Sequence, residues 1–332
     1  MRIALVGAGS IAAWHLDGLR AAGCPAAVVA SRNFARARDV AARHGVPEAV
    51  AEWRALPTRP DLDAAIIATP DATHAEVARA FLAARKPVLV QKPLATSVSE
   101  ASALLDAARA ACVPLEVAFM HRHFPEVAAA AALLRDGAIG RILAARLRNA
   151  TPGPDWDAWF WRAGASGGVA AQIGVHGVDV LRHLIAPVAT VSAEAAIRIP
   201  ERRLRDGTRV AVEVPDHVIA AYRLADGTLA AHEMSWADPG ATDRYALDVH
   251  GERGTLSLRG PRGALALLRD GAWSTVAVPE EPPGRRQHTL FLKVASGRRP
   301  PTGSAEDALA AQRVLEAIAA SAARACRVTV AP

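Results

Sequence analysis

The segment Gly7-Ala8-Gly9-Ser10-Ile11-Ala12 has the residue types of a phosphate cradle. Gly7 permits a tight turn, Gly9 lets backbone approach a pyrophosphate, and Ala12 allows a helix to pack close to a strand. The helix amino terminus, at Ser10 and Ile11, then offers free N–H groups and a positive dipole end to the phosphates. The pattern alone is weak. Here it lies between the apolar run Ile3–Val6 and a helical pattern from about Ile11 to Ala22, which makes it a dinucleotide site. An NAD site usually carries an acidic residue at the end of the second strand, accepting from the ribose 2′-hydroxyl. This chain has Ala30-Ser31-Arg32 there, with Arg36 and Arg38 one and two turns on. A carboxylate would repel a 2′-phosphate, whereas Ser31 and the forked guanidinium of Arg32 can hold one. NADP is the expected coenzyme, with NAD the alternative. The plain reading of the same residues is a solvated helix start with ordinary surface arginines.

Gln91-Lys92-Pro93 directly follows the apolar run Val88–Val90. Strand carboxyl ends face the ligand crevice of an open parallel sheet, so Lys92 is expected to point at the nicotinamide end of a coenzyme, and Pro93 ends the strand. Only Lys86 and Lys293 share its residue type. Further on, Gly167-Gly168 lead into a segment where, if it is helical from about Ala170, Gln172, His176 and Asp179 share one face. His176 could then take the proton from a substrate hydroxyl while hydride leaves the same carbon, with Asp179 orienting the ring. A buried histidine capping a carbonyl is the alternative. His121 and His123 have strand-like spacing and no carboxylate or cysteine cluster beside them, so no metal site is expected. Trp156, Trp159 and Trp161 suit either a sugar-facing wall or a plug at a domain junction.

These residues need elements to position them. Short apolar runs at Ile3–Val6, Ala26–Ala30, Ala64–Ala68, Val88–Val90 and Leu115–Phe119 alternate with helical patterns, which predicts a mainly parallel sheet with right-handed crossovers. Thr73 with Glu76 and Ser97 with Glu100 read as capping boxes. Beyond about residue 120 the rhythm changes. A helix is expected over Glu126–Arg135 and a strand over Ile142–Leu147. Asp226-Gly227 and Asp270-Gly271 then separate alternating runs as hairpin turns. A last amphipathic helix starts after Ser304.

The 332 residues fit two domains, expected at 1–120 and 121–332. With 51% hydrophobic and 22% charged residues there is ample core and no case for disorder. No apolar stretch nears the roughly 18–20 residues of a membrane span, and the amino terminus runs straight into a strand, so a soluble cytoplasmic protein is expected. Cys24, Cys112 and Cys326 are too far apart for a disulfide framework or a close-spaced zinc site. The net charge of +6 is carried by scattered arginines, not a basic stripe beside stacking aromatics, so no nucleic-acid partner is expected.

Together these features resemble the Gfo/Idh/MocA oxidoreductase family over nearly the whole chain. The likeness rests on the glycine turn, Ile67-Ala68-Thr69-Pro70 with His74 downstream, Gln91-Lys92-Pro93, and Arg122 with Pro125. It continues through Trp161-Arg162, the Gly-Gly helix with His176 and Asp179, Gly251-Glu252-Arg253-Gly254-Thr255-Leu256, and the helix from Ser304 to Ser321. The resemblance implies an α/β chain: a Rossmann-type doubly wound parallel sheet, then an α+β domain with a large, mainly antiparallel open sheet. That second sheet often forms the oligomer interface, which implies a homo-oligomer, dimer or tetramer. The implied activity is nicotinamide-dependent redox of a sugar, polyol or sugar derivative. Lys92 would orient and polarise the reacting C–O group, His176 would be the acid/base, and Arg122 would lie on the substrate side. Thr69, Pro70, His74 and Gln91 would flank the coenzyme, with Trp161 and Arg162 closing over the nicotinamide or sugar.

Two positions depart from the family pattern. Its Glu-Lys-Pro is Gln-Lys-Pro here, which removes a negative neighbour from Lys92. The position commonly Asp, four residues before the histidine, is Gln172, which can hydrogen-bond a sugar hydroxyl but cannot shuttle a proton. Proton transfer is therefore assigned to His176 and Lys92. The departures keep two other functions in play: a non-catalytic dinucleotide- or sugar-binding sensor, and a glycosidase assisted by transient oxidation.

Overall fold

A computed structural model describes residues 1–240, 243–260, 263–282 and 284–331. The chain divides into two compact units, the first formed by Met1–His123 with Glu281–Leu309 and the second by Phe124–Glu280 with Ala310–Pro332. The strand–helix rhythm placed residues 281–309 with the second domain; in the structure they return to the first.

The first unit is built on a six-stranded sheet in which every neighbouring pair is parallel. Its strands are β1 (Ile3–Val6), β2 (Val28–Ala30), β3 (Glu48–Val50), β4 (Ala64–Ile67), β5 (Val88–Val90) and β6 (Leu115–Val117), in the order β3-β2-β1-β4-β5-β6. Helices α1 (Ala12–Ala21), α2 (Phe34–His44), α3 (His74–Ala83) and α4 (Val98–Ala111) lie between them in the chain. All of these strands but β3 are buried along their whole length, which is why β1, β2, β4 and β5 read as continuous apolar runs, while β6 buries a glutamate between two apolar residues. The strand order reverses between β1 and β4, and the crevice at that reversal is where such sheets bind ligands. Ser97 caps α4 as expected, accepting from the Glu100 N–H at 3.2 Å. Thr73 does not cap α3: its hydroxyl donates to the Pro70 carbonyl at 2.7 Å, and Glu76 pairs with Arg54 instead. Thr73 ends a 3-10 turn, Asp71–Thr73, with helical backbone at φ −109° and ψ −4°, not the extended backbone that aims a capping hydroxyl at the N–H groups ahead.

One buried acid in this unit makes its stability pH-dependent. Glu116 on β6 is fully buried, accepts from the Thr302 N–H at 3.2 Å, and is pushed by burial up to about 7. A carboxyl raised in the folded state takes up a proton on folding, so stability falls as pH rises from the unfolded value near 4.5 to about 7, then levels off. Glu116→Gln removes this penalty. Urea unfolding of the variant should show a gain over wild type at pH 8 on the order of 3 kcal/mol at most, shrinking as pH falls and vanishing only below about pH 4. A gain independent of pH would contradict the assignment.

The second unit opens with α5 (Pro125–Arg135), β7 (Ile142–Ala150), a π-helical turn over Ala170–Gly174, and α6 (Val175–Leu184). Then follow β8 (Val188–Ala196), the ribbon β9 (Glu201–Arg203) and β10 (Arg209–Ala211), β11 (His217–Leu224), β12 (Leu229–Ser235), β13 (Tyr245–Gly251), β14 (Gly254–Gly260), β15 (Ala264–Arg269) and β16 (Ala272–Thr275). β9 and β10 pair only with each other, and the remaining strands with β17 (Val328–Thr329) form a nine-stranded sheet, β16-β15-β14-β13-β7-β12-β11-β8-β17, antiparallel throughout except for β12 beside β7. The Asp-Gly turns lie where the sequence placed them, with Asp270 and Gly271 at φ of 51° and 78°. Along β11, Val218, Ala220, Tyr222 and Leu224 are buried and the residues between them exposed, so one face of this strand is solvated.

The returning segment contributes α7 (Arg285–Ala295), which packs on α1 and buries Phe291 in the apolar cluster of β1, α1 and α2. The last helix, α8 (Ala305–Arg324), starts with a reciprocal cap: Ser304 Oγ accepts from the Asp307 N–H at 3.1 Å and Asp307 from the Ser304 N–H at 3.3 Å. No helix among the described residues is long and apolar enough to cross a membrane.

Candidate active site

The cradle forms at the carboxyl end of β1. Gly7 has φ of +117°, and a β-carbon there would meet the Ala68 carbonyl oxygen at 2.2 Å, so no other residue fits. A β-carbon on Gly9 would meet nothing within 4 Å. Open space therefore faces the turn just where an anion would lie. No side chain caps the start of α1 and no acidic residue occupies its first turn; the Ala12 N–H donates to the Gly9 carbonyl at 3.1 Å, and the positive dipole end of the helix is left without a negative side chain to offset it. These residues fit a dinucleotide pyrophosphate. A cleft of about 370 Å³ extends from Gly9 and Ser10 to Asn33, Arg36, Asp39 and Arg43. Ser31, Arg32 and Asn33 follow β2 without a carboxylate among them, and Asn33 caps α2 by accepting from the Arg36 N–H at 3.0 Å.

The next two strand ends are tied together. Gln91 N–H donates to the Ile67 carbonyl at 2.8 Å. The His74 ring is fully buried, with Nε2 2.8 Å from the Thr69 carbonyl and Nδ1 2.7 Å from the Pro93 carbonyl. It joins the segment after β4 to the segment after β5 and faces main chain on both sides. Half-buried Lys92 sits inside this frame, ahead of a cis bond to Pro93. The structure thus brings Gly7, Thr69, Pro70, His74, Gln91 and Lys92 to one edge of the sheet. Arg122 is turned inward, against the expectation that it meets substrate: its guanidinium donates to the Thr302 carbonyl at 2.7 Å and to Asp307 at 2.9 Å. His121 and His123 belong to a 3-10 turn, Met120–His123, not a strand. Among the described residues no three metal-ligating side chains converge.

In the second unit, the expected helix forms with a wide first turn. Gln172 falls in the π-helical stretch and His176 and Asp179 on α6, all three buried. The helix lies close on the sheet because Gly177 has no side chain: a β-carbon would meet Asn149 Oδ1 at 2.3 Å. Beneath it runs a buried polar row, in which His232 Nε2 bonds Asn149 Oδ1 at 2.8 Å and Tyr222 donates to His232 Nδ1 at 3.0 Å. Burial holds the His232 ring down to about 3, so it is neutral, as that pattern requires. Sequence reasoning missed this row, since a single histidine in an alternating strand carries no local signal.

Trp161 is a core residue, contrary to the expectation that it closes over a ligand. It is fully buried, its indole N–H donates to the Pro154 carbonyl at 3.1 Å, and Arg202 lies 4.8 Å over its ring. Arg162 pairs with Glu213 at 2.8 Å. Of the three tryptophans, Trp156 is the exposed one.

Comparison with known proteins agrees with this geometry. Residues 1–119 match the model of an oxidoreductase family with an NAD-binding Rossmann fold, and residues 127–257 match the Gfo/Idh/MocA C-terminal domain. The 1,5-anhydro-D-fructose reductase of Ensifer adhaerens is 30% identical over 322 residues, 92% of this chain and 91% of that one. The chain belongs to the Gfo/Idh/MocA family. Levoglucosan dehydrogenase of Pseudarthrobacter phenanthrenivorans is 32% identical over 250 residues, which span 69% of this chain and 63% of that relative. A solved levoglucosan dehydrogenase, in complex with NADH and L-sorbose, superposes with a TM-score of 0.91 at 27% identity, over 100% of this chain and 99% of that one. As a Gfo/Idh/MocA member the chain is an NAD-binding-type oxidoreductase with the two sheets expected from its sequence.

Proposed function

We propose that the protein is an NADP(H)-dependent oxidoreductase that moves a hydride to or from a sugar, polyol or sugar derivative. The observation that carries this reading is the open, uncapped cradle at Gly9 and α1, on the same sheet edge as Lys92. The bound coenzyme supplies the hydride acceptor or donor. The chain's own groups do the rest. The glycine turn and the positive end of α1 would hold the pyrophosphate, and Ser31, Arg32 and Arg36 would hold the 2′-phosphate. The Lys92 ammonium donates to the reacting oxygen and favours charge developing there. His176 takes the proton from the hydroxyl, or returns it in the reverse direction, with Asp179 setting the ring. Gln172 binds a neighbouring hydroxyl and moves no proton.

Supplying NADP or NAD with levoglucosan, 1,5-anhydro-D-glucitol, inositols and simple aldoses, and reading absorbance near 340 nm, tests the reading. Reduction of NADP with at least one of these is the expected result. Coenzyme binding without any turnover would favour the sensor alternative, and cleavage of a glycoside without net reduction the hydrolase. Coenzyme choice has its own test: wild type should bind NADP about tenfold tighter than NAD, and Arg32→Ala should remove that preference. Equal affinities in wild type would remove the preference for NADP.

We also propose a homo-oligomer formed through the nine-stranded sheet. Ile219 and Leu229 are 56% and 53% exposed on the solvated face of paired strands, apolar side chains that a second copy of this sheet would cover. Light scattering should report a dimer or tetramer, and Ile219→Arg should shift it toward monomer.

A further inference from the structure

Behind the Lys92 segment runs a buried line of polar groups that the proposed chemistry does not use. Gln91 Nε2 lies 2.8 Å from His15 Nε2, His15 Nδ1 lies 2.9 Å from His288 Nε2, and His288 Nδ1 lies 2.7 Å from the Gly284 carbonyl. Three parts of the first unit are joined: the strand end that carries Lys92, helix α1, and the start of α7. His15 and His288 are fully buried and meet edge to face, with centroids 5.1 Å apart. Space for the second ring comes from Gly18, where a β-carbon would meet His288 Nδ1 at 2.2 Å.

The direction of this line follows from its end. A carbonyl can only accept, so His288 Nδ1 carries a hydrogen and, in a neutral ring, Nε2 carries a lone pair. His15 Nδ1 must then donate to it, which leaves a lone pair on His15 Nε2. The group facing that lone pair must donate, and Gln91 does so with its amide N–H. Both rings are neutral: burial holds His288 down to about 4, and burial, then the neighbouring His288, holds His15 well below its ordinary value. A glutamate at position 91, the residue of the family's Glu-Lys-Pro pattern, would place an acceptor against an acceptor. The glutamine is thus matched to the two histidines.

We propose that Gln91, His15 and His288 form a one-way hydrogen-bond chain that positions the Lys92 segment, with Gln91 a positioning residue that only a neutral hydrogen donor can replace. The proposal rests on the reading of Lys92 as the group that polarises the substrate, but the chain itself can be observed without turnover. Nitrogen-15 NMR of histidine-labelled protein should show both rings as the Nδ1–H tautomer between pH 6 and 8. Gln91→Glu should lower kcat tenfold or more with coenzyme affinity within twofold, and should change the His15 nitrogen shifts. His288→Gln, which keeps an acceptor for His15, should retain kcat within about threefold, whereas His288→Leu should lose tenfold or more. Rings found as Nε2–H tautomers, or a Gln91→Glu enzyme with unchanged kcat, would overturn the proposal. If the tautomers are as expected but Lys92→Ala is fully active, the reading of Lys92 has failed and the chain stands.

Discussion

Lys92→Ala should lower turnover by about 10²–10⁴-fold, the range for removing a positioned acid/base or electrophilic group, while coenzyme affinity changes by only a few fold. The affinity is spared because the coenzyme's phosphates are assigned to α1 and the residues after β2, away from this side chain. His176→Ala should lose a similar factor. The two changes together should cost little more than either alone, since they serve one proton and one oxygen in a single step. Initial rates at 340 nm and a fluorescence titration of the coenzyme separate the two quantities. Full activity in both variants would sink the mechanism, and weakened coenzyme binding in either would mean that its residue belongs to the cradle.

Asp216→Ala should destabilise the protein by about 3–5 kcal/mol, the cost of breaking a buried ion pair from one side. The Asp216 carboxylate is fully buried and accepts from the Arg198 N–H at 2.6 Å, the Ile199 N–H at 3.2 Å and Arg202 at 3.0 Å. Arg202 also donates to the Pro152 and Trp236 carbonyls and lies over the Trp161 ring. Without the carboxylate, one guanidinium loses its counter-charge and two N–H groups lose their acceptor. Urea unfolding followed by tryptophan fluorescence measures the loss, because Trp161 and Trp236 report directly on this cluster. Asp216→Asn keeps an acceptor and should lose less.

The parallel sheet and its glycine turn were legible because strands buried on both sides leave unbroken apolar runs. β3 was not. Glu48-Ala49-Val50 is short, partly exposed and at the sheet edge, so nothing in its composition distinguishes it from a loop. The cradle and the Lys92 strand end could be read from spacing, since each lies within a few residues of the element that aims it. Trp161 and Arg122 could not: whether a large or charged side chain faces ligand or core depends on distant partners, here Trp236 and Asp307. The same holds for His15, whose partner is 273 residues away along the chain.

That distance bears on how the molecule is made. The first 123 residues hold all six strands of the leading sheet, yet α7, emerging some 160 residues later, closes its apolar cluster with Phe291 and satisfies the buried His15. A ribosome releasing the chain from its amino end exposes that unfilled surface until most of the polypeptide has been synthesised. A fragment stopped at residue 123 is therefore expected to be sticky and prone to chaperone capture, whereas a permuted chain that begins near residue 281 should mature its nucleotide-binding half early.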